Sequence, residues 1–266
     1  MPGPSAHTLC ERIGFSDGHG YHPTFLPEVT LFRVAVHEGE CPLLHQSGLT
    51  FILQGHQVGA AGGRECSNGG DRYLILTGNL PLLCETPASS ETPVIGLHVG
   101  IDVTRLQRLV SILSDDPYWR RKTGSLPEQV VTSSRLDEHI SNSVTALIEV
   151  LHDPIASRAL GSATLTRLYF DVLRSEDGMV LASLTRNDSR LATVSAAMRY
   201  MEQHLHDKVG IEELVRIANM SRSAFHRAFK EVLGESPLQY LKQMRLATAR
   251  NRICLLYTSD AADDQW

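Results

Sequence analysis

The segment "SRSAFHRAFKEVLG" (221–234) carries side chains that can bind a polyanion. At about 100° per residue, one side of a helix with this sequence is apolar and the other is polar. The apolar side carries Phe225, Ala228, Phe229 and Val232, and the polar side carries Arg222, Ser223, His226, Arg227 and Lys230. The aromatic pair predicts a core contact. The polar face can bind phosphates and base edges. Such a face is also typical of a helix whose polar side only contacts water.

The neighbouring residues favour a helix-turn-helix. Ser221 is a good N-cap, because its hydroxyl can accept from amides that the first helical turn leaves unpaired, and Gly234 suits the left-handed position that ends a helix. A shorter amphipathic helix is predicted over 210–220. Its last two residues, Asn219 and Met220, are expected to form the tight turn that leads to Ser221. Two short helices joined in this way, the second with a basic outer face, are typical of a helix-turn-helix.

Longer helices are predicted on either side of this pair. One covers 190–208, and its buried stripe is Leu191, Val194, Met198, Met201 and Leu205. The other runs to residue 253, with Ser236 as its N-cap and Pro237 at its first position. It stays basic through Lys242, Arg245, Arg250 and Arg252. Arg245 is expected either to reach the DNA backbone or to bond within the domain.

Charge divides the chain into two parts. Residues 1–189 hold 14 Lys/Arg and 21 Asp/Glu, whereas residues 190–253 hold 11 and 6. The basic part is the candidate for a polyanionic partner, and the polar segment 184–190 is expected to join the two. Neither a secretory signal nor a membrane span is predicted, so the expected location is cytoplasmic. The five cysteines form no CxxC pair, which argues against a zinc clip or a disulfide framework.

The acidic part begins with strands. The β-rich runs are 49–55, 72–78 and 93–102, and turn clusters occupy 60–71 and 86–93. Short strands at such spacing predict a small antiparallel barrel or sandwich over about 29–101. Within 93–102, Val94, Gly96 and His98 alternate with Ile95, Leu97 and Val99.

Helical periodicity follows over about 102–178. The predicted helices cover 102–113, 136–153 and 157–178, whereas 114–133 is looser. Asp102 is the expected N-cap of the first helix. Its predicted buried stripe is Val103, Leu106, Leu109, Val110 and Leu113.

The segment "VGIEELVRIANMSRSAFHRAFKEVLGESPLQYLKQMRLATAR" resembles the first helix-turn-helix of the AraC/XylS family of bacterial transcription regulators. The shared pattern is S-x-x-x-F-x-R-x-F-K followed by G-x-S-P-x-Q-Y-L-x-x-x-R-L-x-x-A-R. The strand-rich part is similar to the AraC-type N-terminal domain through "PLLHQSGLTFILQGHQVGAAG", "YLILTGNLPLLCETPASSETPVIGLHVGID" and "ALIEVLHDP". It departs from the family at "GHQ", where a basic residue usually follows the glycine.

The resemblance implies an α+β fold of two units. A cupin-like antiparallel β-barrel with trailing helices would occupy residues 1–185, and an all-α, homeodomain-like helix-turn-helix module would occupy 190–253. The first unit would bind a small effector, form a homodimer, or both, and the second would bind double-stranded DNA. The implied function is sequence-specific transcription regulation, without enzymatic activity and without a cofactor.

The resemblance also implies roles for residues of the recognition helix. Ser223, His226 and Arg227 are expected to face base edges in the major groove, and Arg222 and Lys230 to contact phosphates. The Arg227 guanidinium could fork to O6 and N7 of guanine, whereas the other two base readers would be weaker or water-mediated.

A cupin-type small-molecule enzyme with an accessory helical domain is the first alternative. The strand-rich part contains His19, His22, His37, His45, His56 and His98. A metal cupin would need an HxH pair, which is absent, and the adjacent His37 and Glu38 would point to opposite faces of a strand. No metal is therefore expected. Neither G-x-S-x-G nor a phosphate-binding glycine loop occurs.

Residues 254–264, "CLLYTSDAADD", break the pattern of the helix before them. They match one reading frame of a common transposase-type sequencing adapter. We expect residues 254–266 to be non-native, in the place where the family resemblance puts a second helix-turn-helix. A non-functional gene fragment is the second alternative.

Overall fold

The computed structural model describes residues 6–61, 64–117, 119, 129–185 and 190–263, and of these the side chains of all but 61, 64, 190, 192 and 251–263. Its strands are β1 (Gly20–Pro23), β2 (Val29–Val34), β3 (Glu38–His45), β4 (Gly48–Gln54), β5 (His56–Ala61), β6 (Arg64–Gly69), β7 (Arg72–Leu76), β8 (Leu80–Thr86), β9 (Val94–Gly100) and β10 (Val131–Arg135). All pairings are antiparallel. The strand order is β1-β2-β9-β4-β7-β6-β5-β8-β3, and β10 pairs with β7.

Helices precede and follow the sheet. They are α1 (Ala6–Ile13), α2 (Val103–Leu113), α3 (Glu138–Leu151), α4 (Pro154–Arg174), α5 (Gly178–Ala182), α6 (Arg190–Gln203), α7 (Ile211–Ile217), α8 (Arg222–Leu233) and α9 (Pro237–Asp263). The Asp102 carboxylate accepts from the Arg105 amide at 2.9 Å, which confirms the predicted cap of α2.

The sheet curls until its two ends meet. Nε2 of His19, which precedes β1, lies 3.6 Å from Oε1 of Glu38 at the start of β3, although these strands are at opposite ends of the strand order. Likewise His45 on β3 interacts electrostatically with His98 on β9. We call the face that carries these two histidines the inner face.

The other face of the sheet packs on the trailing helices. Because neighbouring residues of a strand point to opposite sides, β9 contributes Ile95, Leu97 and Val99 to this outer core and its remaining residues to the inner face. Both faces of the strand are buried. The alternation noted in the sequence therefore separates two buried surfaces.

The predicted fold class is confirmed, with local corrections; one is that the helix predicted over 190–208 ends at Gln203. Residues 60–71, read as a turn cluster, contain β6, and 114–133, read as loose, contains the start of β10. Both are polar strands that gain their backbone hydrogen bonds from neighbouring strands, so local composition does not reveal them. In α2, Val103 was expected to be buried but is 43% exposed.

The C-terminal helices dock on the barrel. One hydrophobic cluster contains Leu80 and Leu82 of β8 together with Met198 of α6 and Tyr240 of α9, and α9 packs against β3 and β8. The division into units at 185 and 190 stays a prediction. Residues 186–189 of the proposed linker and the side chains of 254–266 lie outside the described residues.

Candidate nucleic-acid interface

Local caps fix both ends of α8. The Ser221 hydroxyl accepts from the Ala224 amide at 3.3 Å, and Gly234 adopts φ 79°, the left-handed conformation that favours glycine. The turn before α8 contains Asn219 at φ 50°, a conformation that asparagine tolerates better than most residues. The predicted caps and the predicted tight turn are confirmed.

One face of α8 is anchored in the core of the module. Phe225 and Phe229 are fully buried, with ring centroids 5.6 Å apart. The ring of Phe229 also meets that of Tyr240 on α9 at 5.7 Å and 70°, an edge-to-face geometry that aromatic pairs prefer. Tyr240 lies one turn after the Ser236 cap, whose hydroxyl accepts from the amide of Gln239 at 3.3 Å.

The opposite face of α8 is presented to solvent. Arg222, Ser223, Arg227 and Lys230 are exposed, and His226 is half-buried beside the ring of Phe225. None of the five predicted DNA-contacting residues is therefore buried in the core. We call this group the α8 polar face.

Arg222 has a partner within the protein. Its Nη1 lies 3.4 Å from Oε1 of Glu212 on α7, and both side chains are more than half exposed, at 66% and 77%. Such an exposed pair contributes little to stability and is weakened by salt. A phosphate can therefore replace the glutamate at low energetic cost.

Arg245 bonds inside the module, which is one of the two expected alternatives. Its Nε donates to the carbonyl oxygen of Leu205 at 2.8 Å, and its Nη2 donates to that of Asp207 at 2.6 Å. The guanidinium thus fastens α9 to the turn after α6.

A polar seam between the barrel and the module was missed by sequence reasoning. The Asn79 side chain, in the β7–β8 turn, accepts from the amide of Ser47 at 2.8 Å and donates to Oε2 of Glu202 on α6 at 2.9 Å. The Tyr240 hydroxyl donates to the main-chain carbonyl of Asn79 at 2.7 Å. Burial raises the pKa of Glu202, although hydrogen bonds from Asn79 and from the Tyr240 hydroxyl to its carboxylate act in the opposite direction. A cavity of about 190 Å³ lies along this seam.

A second polar contact joins the same two parts. Nη2 of Arg250 lies 3.4 Å from Oε1 of Glu38, the oxygen that also faces His19. Burial alone would raise the pKa of Glu38, but the hydrogen bond from His19 and the charge of Arg250 lower it overall.

The inner face of the barrel holds a buried polar cluster. His45 Nε2 lies 3.3 Å from Oε1 of Gln57, whose amide donates to the Thr86 hydroxyl at 2.9 Å. Asn68, opposite Gln57 in the β5–β6 register, is 2% exposed, and among the described residues neither its oxygen nor its nitrogen has a partner. Burial lowers the pKa of His45 and brings that of His98 to about 4.

Neither a metal-binding cluster nor a membrane-spanning helix occurs among the described residues. They contain no group of three or more His, Cys, Asp or Glu side chains arranged to hold a metal ion. No helix in this part of the chain has the length and apolar character needed to cross a membrane.

Comparison with known proteins identifies both parts. Residues 25–180 match the family described as AraC-type transcriptional regulator N-terminus, and residues 201–242 match bacterial regulatory helix-turn-helix proteins of the AraC family. The HTH-type transcriptional activator RhaS of Enterobacter sp. (strain 638) is 28% identical over 145 residues, which cover 54% of this chain and 50% of RhaS. The match therefore spans about half the length of that relative.

A shorter match and a solved structure extend the comparison. The uncharacterized HTH-type transcriptional regulator YbfP of Bacillus subtilis (strain 168) is 35% identical over 65 residues, 24% of this chain and 21% of YbfP. The structure of ToxT from Vibrio cholerae aligns over 81% of this chain and 98% of its own, with 12% identity and a TM-score of 0.36. The N-terminal match alone covers more than half of the sequence. The chain therefore belongs to the AraC family of bacterial transcriptional regulators.

Proposed function

We propose that the chain is a sequence-specific DNA-binding transcription regulator that inserts α8 into the major groove. The supporting observation is the orientation of α8: its phenylalanines are buried while the α8 polar face is exposed. A helix held in this way can bring hydroxyl, imidazole and guanidinium groups to base edges.

We assign the residues of the α8 polar face to two roles. Ser223, His226 and Arg227 read bases, and Arg222 and Lys230 contact phosphates. The division is supported by chemistry, since guanidinium can form two parallel hydrogen bonds with guanine, whereas an ammonium group acts as a point charge on phosphate.

The test starts from duplexes selected by the full chain from a random-sequence pool. Fluorescence anisotropy then compares a selected duplex with a scrambled one over a series of salt concentrations. We expect tighter binding to the selected duplex, and affinity that falls as salt rises because phosphate contacts release counter-ions. Equal, salt-independent binding to both duplexes would contradict the proposal.

A matched control separates the interface from general charge. Arg167→Ala removes an exposed cation from α4, outside the proposed interface. This variant should bind the selected duplex as the wild type does. A loss equal to that of Arg227→Ala would mean that net charge, and not α8, accounts for binding.

We infer that the barrel binds a small effector on its inner face. Support comes from Asn68, since a buried amide with two unpartnered polar atoms is costly unless a ligand or water completes its hydrogen bonds. The lowered pKa values of His45 and His98 keep both imidazoles neutral near pH 7. These surroundings suit an uncharged molecule with hydroxyl or amide groups.

Thermal-shift measurements test this inference with neutral polyols and carboxylates of similar size. At least one polyol should raise the melting temperature of the wild type, and Asn68→Leu should lose that response. Thr164→Ala, a change on α4 outside the inner face, should keep it. A response confined to carboxylates, or one retained by Asn68→Leu, would contradict the inference. A homodimer remains a prediction that sedimentation measurements can decide.

A further inference from the structure

Three cysteines that lie far apart in the sequence occur on the inner face of the barrel, at matching register positions of β3, β8 and β6. Cys41 on β3 is directly opposite Cys84 on β8, and its sulfur lies 3.8 Å from the main-chain oxygen of Cys84. Gly59 on β5 is opposite both Cys84 and Cys66. No spacing pattern in the sequence indicates this cluster, because the three residues belong to three different strands.

Gly59 makes room for the Cys84 thiol. A Cβ atom added at residue 59 would lie 2.6 Å from Sγ of Cys84 and 3.0 Å from a main-chain oxygen. Such contacts are too close for any larger side chain to fit without movement. The absence of a side chain at this position therefore lets the sulfur of Cys84 lie over β5.

Only one pair of these cysteines has the backbone spacing of a disulfide, and the Cys84 sulfur, which lies over β5, has to rotate toward β3 to form it. Residues directly opposite on antiparallel strands have Cα atoms about 4.5–5.5 Å apart, within the roughly 4.4–6.8 Å range that a disulfide spans. Cys41 and Cys84 meet this condition. Cys66 is two strands from Cys84, about 9–10 Å at usual strand spacing, and so lies beyond reach unless the backbone moves.

We propose that Cys41 and Cys84 form a redox-sensitive pair that hydrogen peroxide converts to a cross-strand disulfide. Cys41 is the half-buried member and Cys84 the buried one, so Cys41 meets the oxidant first. Its sulfur attacks the peroxide O–O bond, which yields a sulfenic acid and one water. The sulfur of Cys84 then attacks that of Cys41 and displaces a second water. Two thiols and one peroxide thus become one disulfide and two waters.

The location connects this site with the DNA-binding module. The cysteines form one rung of the β3–β8 ladder, and α9 packs against both strands. Three residues before Cys41, Glu38 contacts Arg250 of α9. A covalent bond in this rung joins the two strands on which α9 rests. Burial beside the other thiols raises the pKa of Cys84 to about 12, so the second step is expected to be slow near neutral pH.

Peptide mapping after peroxide treatment tests the proposal independently of DNA binding. The full chain carries Cys254→Ser throughout, because that residue's surroundings lie outside the described residues. We expect the peptides that contain Cys41 and Cys84 to become linked, with the loss of two hydrogen atoms in mass, and dithiothreitol to separate them. The melting temperature should rise on oxidation and fall again on reduction, because a cross-link restricts the unfolded chain.

Three variants define the outcome. Cys66→Ser should still form the bridge, whereas Cys41→Ser and Cys84→Ser should not, and circular dichroism checks that each is folded. A bridge that includes Cys66, oxidation of single thiols without a bridge, or no reaction in the folded wild type would each overturn the proposal. If a serine variant fails to fold, alkylation of Cys41 in the wild type before peroxide treatment gives the same comparison.

Discussion

The hydroxyl of Tyr240 donates a hydrogen bond to the main-chain carbonyl of Asn79 across 2.7 Å, although 161 residues separate the two in sequence. This bond joins α9 of the helix-turn-helix module to a turn of the barrel. The same turn holds Glu202 and Ser47 through the Asn79 side chain. A change in the barrel at this turn therefore acts directly on two helices of the module.

Asn79→Ala tests how much this seam stabilises the protein. The variant removes the hydrogen bonds from the Asn79 side chain to the half-buried Glu202 carboxylate and from the Ser47 amide to that side chain, so we expect a loss of about 1–3 kcal/mol in the free energy of unfolding. Urea unfolding followed by circular dichroism measures it. Gln203→Ala, an exposed change next to Glu202, is the control, and similar values for both variants would argue against a structural role for the seam.

Arg227→Ala and Lys230→Ala separate base reading from phosphate contact. The first should weaken binding to the selected duplex by about 1–3 kcal/mol and relax preference at one base pair. The second should weaken binding to all duplexes alike and reduce the salt slope by about one. Anisotropy titrations against single-base variants of the duplex distinguish them. Equal losses on selected and random DNA for Arg227→Ala would remove its assignment as a base reader.

Phe229→Ala should greatly lower the free energy of unfolding of the module. Loss of this fully buried ring, which contacts Phe225 and Tyr240, is expected to cost about 3–5 kcal/mol. Leu238→Ala removes an apolar side chain that is 54% exposed and should change stability by no more than about 0.5 kcal/mol. Urea unfolding compares the two. A small effect of Phe229→Ala would mean that α8 does not depend on this anchor.

His98 should make stability depend on pH. Its pKa falls from 6.5 to about 4 on folding because it is buried, with a smaller effect from His45. Between these pH values the unfolded chain binds a proton that the folded chain does not, so stability falls as pH decreases from about 6.5 to about 4. This lowering of the His98 pKa corresponds to a change of about 3 kcal/mol in the free energy of unfolding.

The measurement is the free energy of unfolding of wild type and His98→Asn across this pH range. Asparagine keeps a polar group near Thr50, whose hydroxyl lies 3.2 Å from Nδ1 of His98. The difference in free energy of unfolding between wild type and His98→Asn should become smaller toward pH 4. His139→Asn, an exposed change on α3, should run parallel to the wild type, and a constant gap for His98→Asn would show that its titration is not linked to folding.

Local signals were enough to predict α8 and most of its surroundings. The caps Ser221 and Gly234 and the aromatic spacing act within a few residues, so they can be read in one sequence. Strands β4, β7 and β9 also follow from their β-branched and aromatic content. By contrast, β6 and β10 are polar, and they are strands because neighbouring strands supply their hydrogen bonds.

The polar contacts between the two parts could not be predicted in this way. The pair Asn79 and Glu202 is 123 residues apart, and Cys41 and Cys84 are brought together by strand pairing. Neither pair has a spacing pattern, because their proximity depends on the strand order and on how α6 and α9 dock. Arg245 illustrates the same limit, since the sequence allowed two partners and the turn after α6 supplies the one found.

The single oxygen of Glu38 that faces both His19 and Arg250 links two parts of the structure. The contact that brings the ends of the sheet together and the contact with α9 use the same negative charge. If the Glu38 carboxylate moves away from His19, its interaction with Arg250 changes as well, and the converse also holds. A change at Glu38 therefore affects both the contact between the ends of the sheet and the contact with α9.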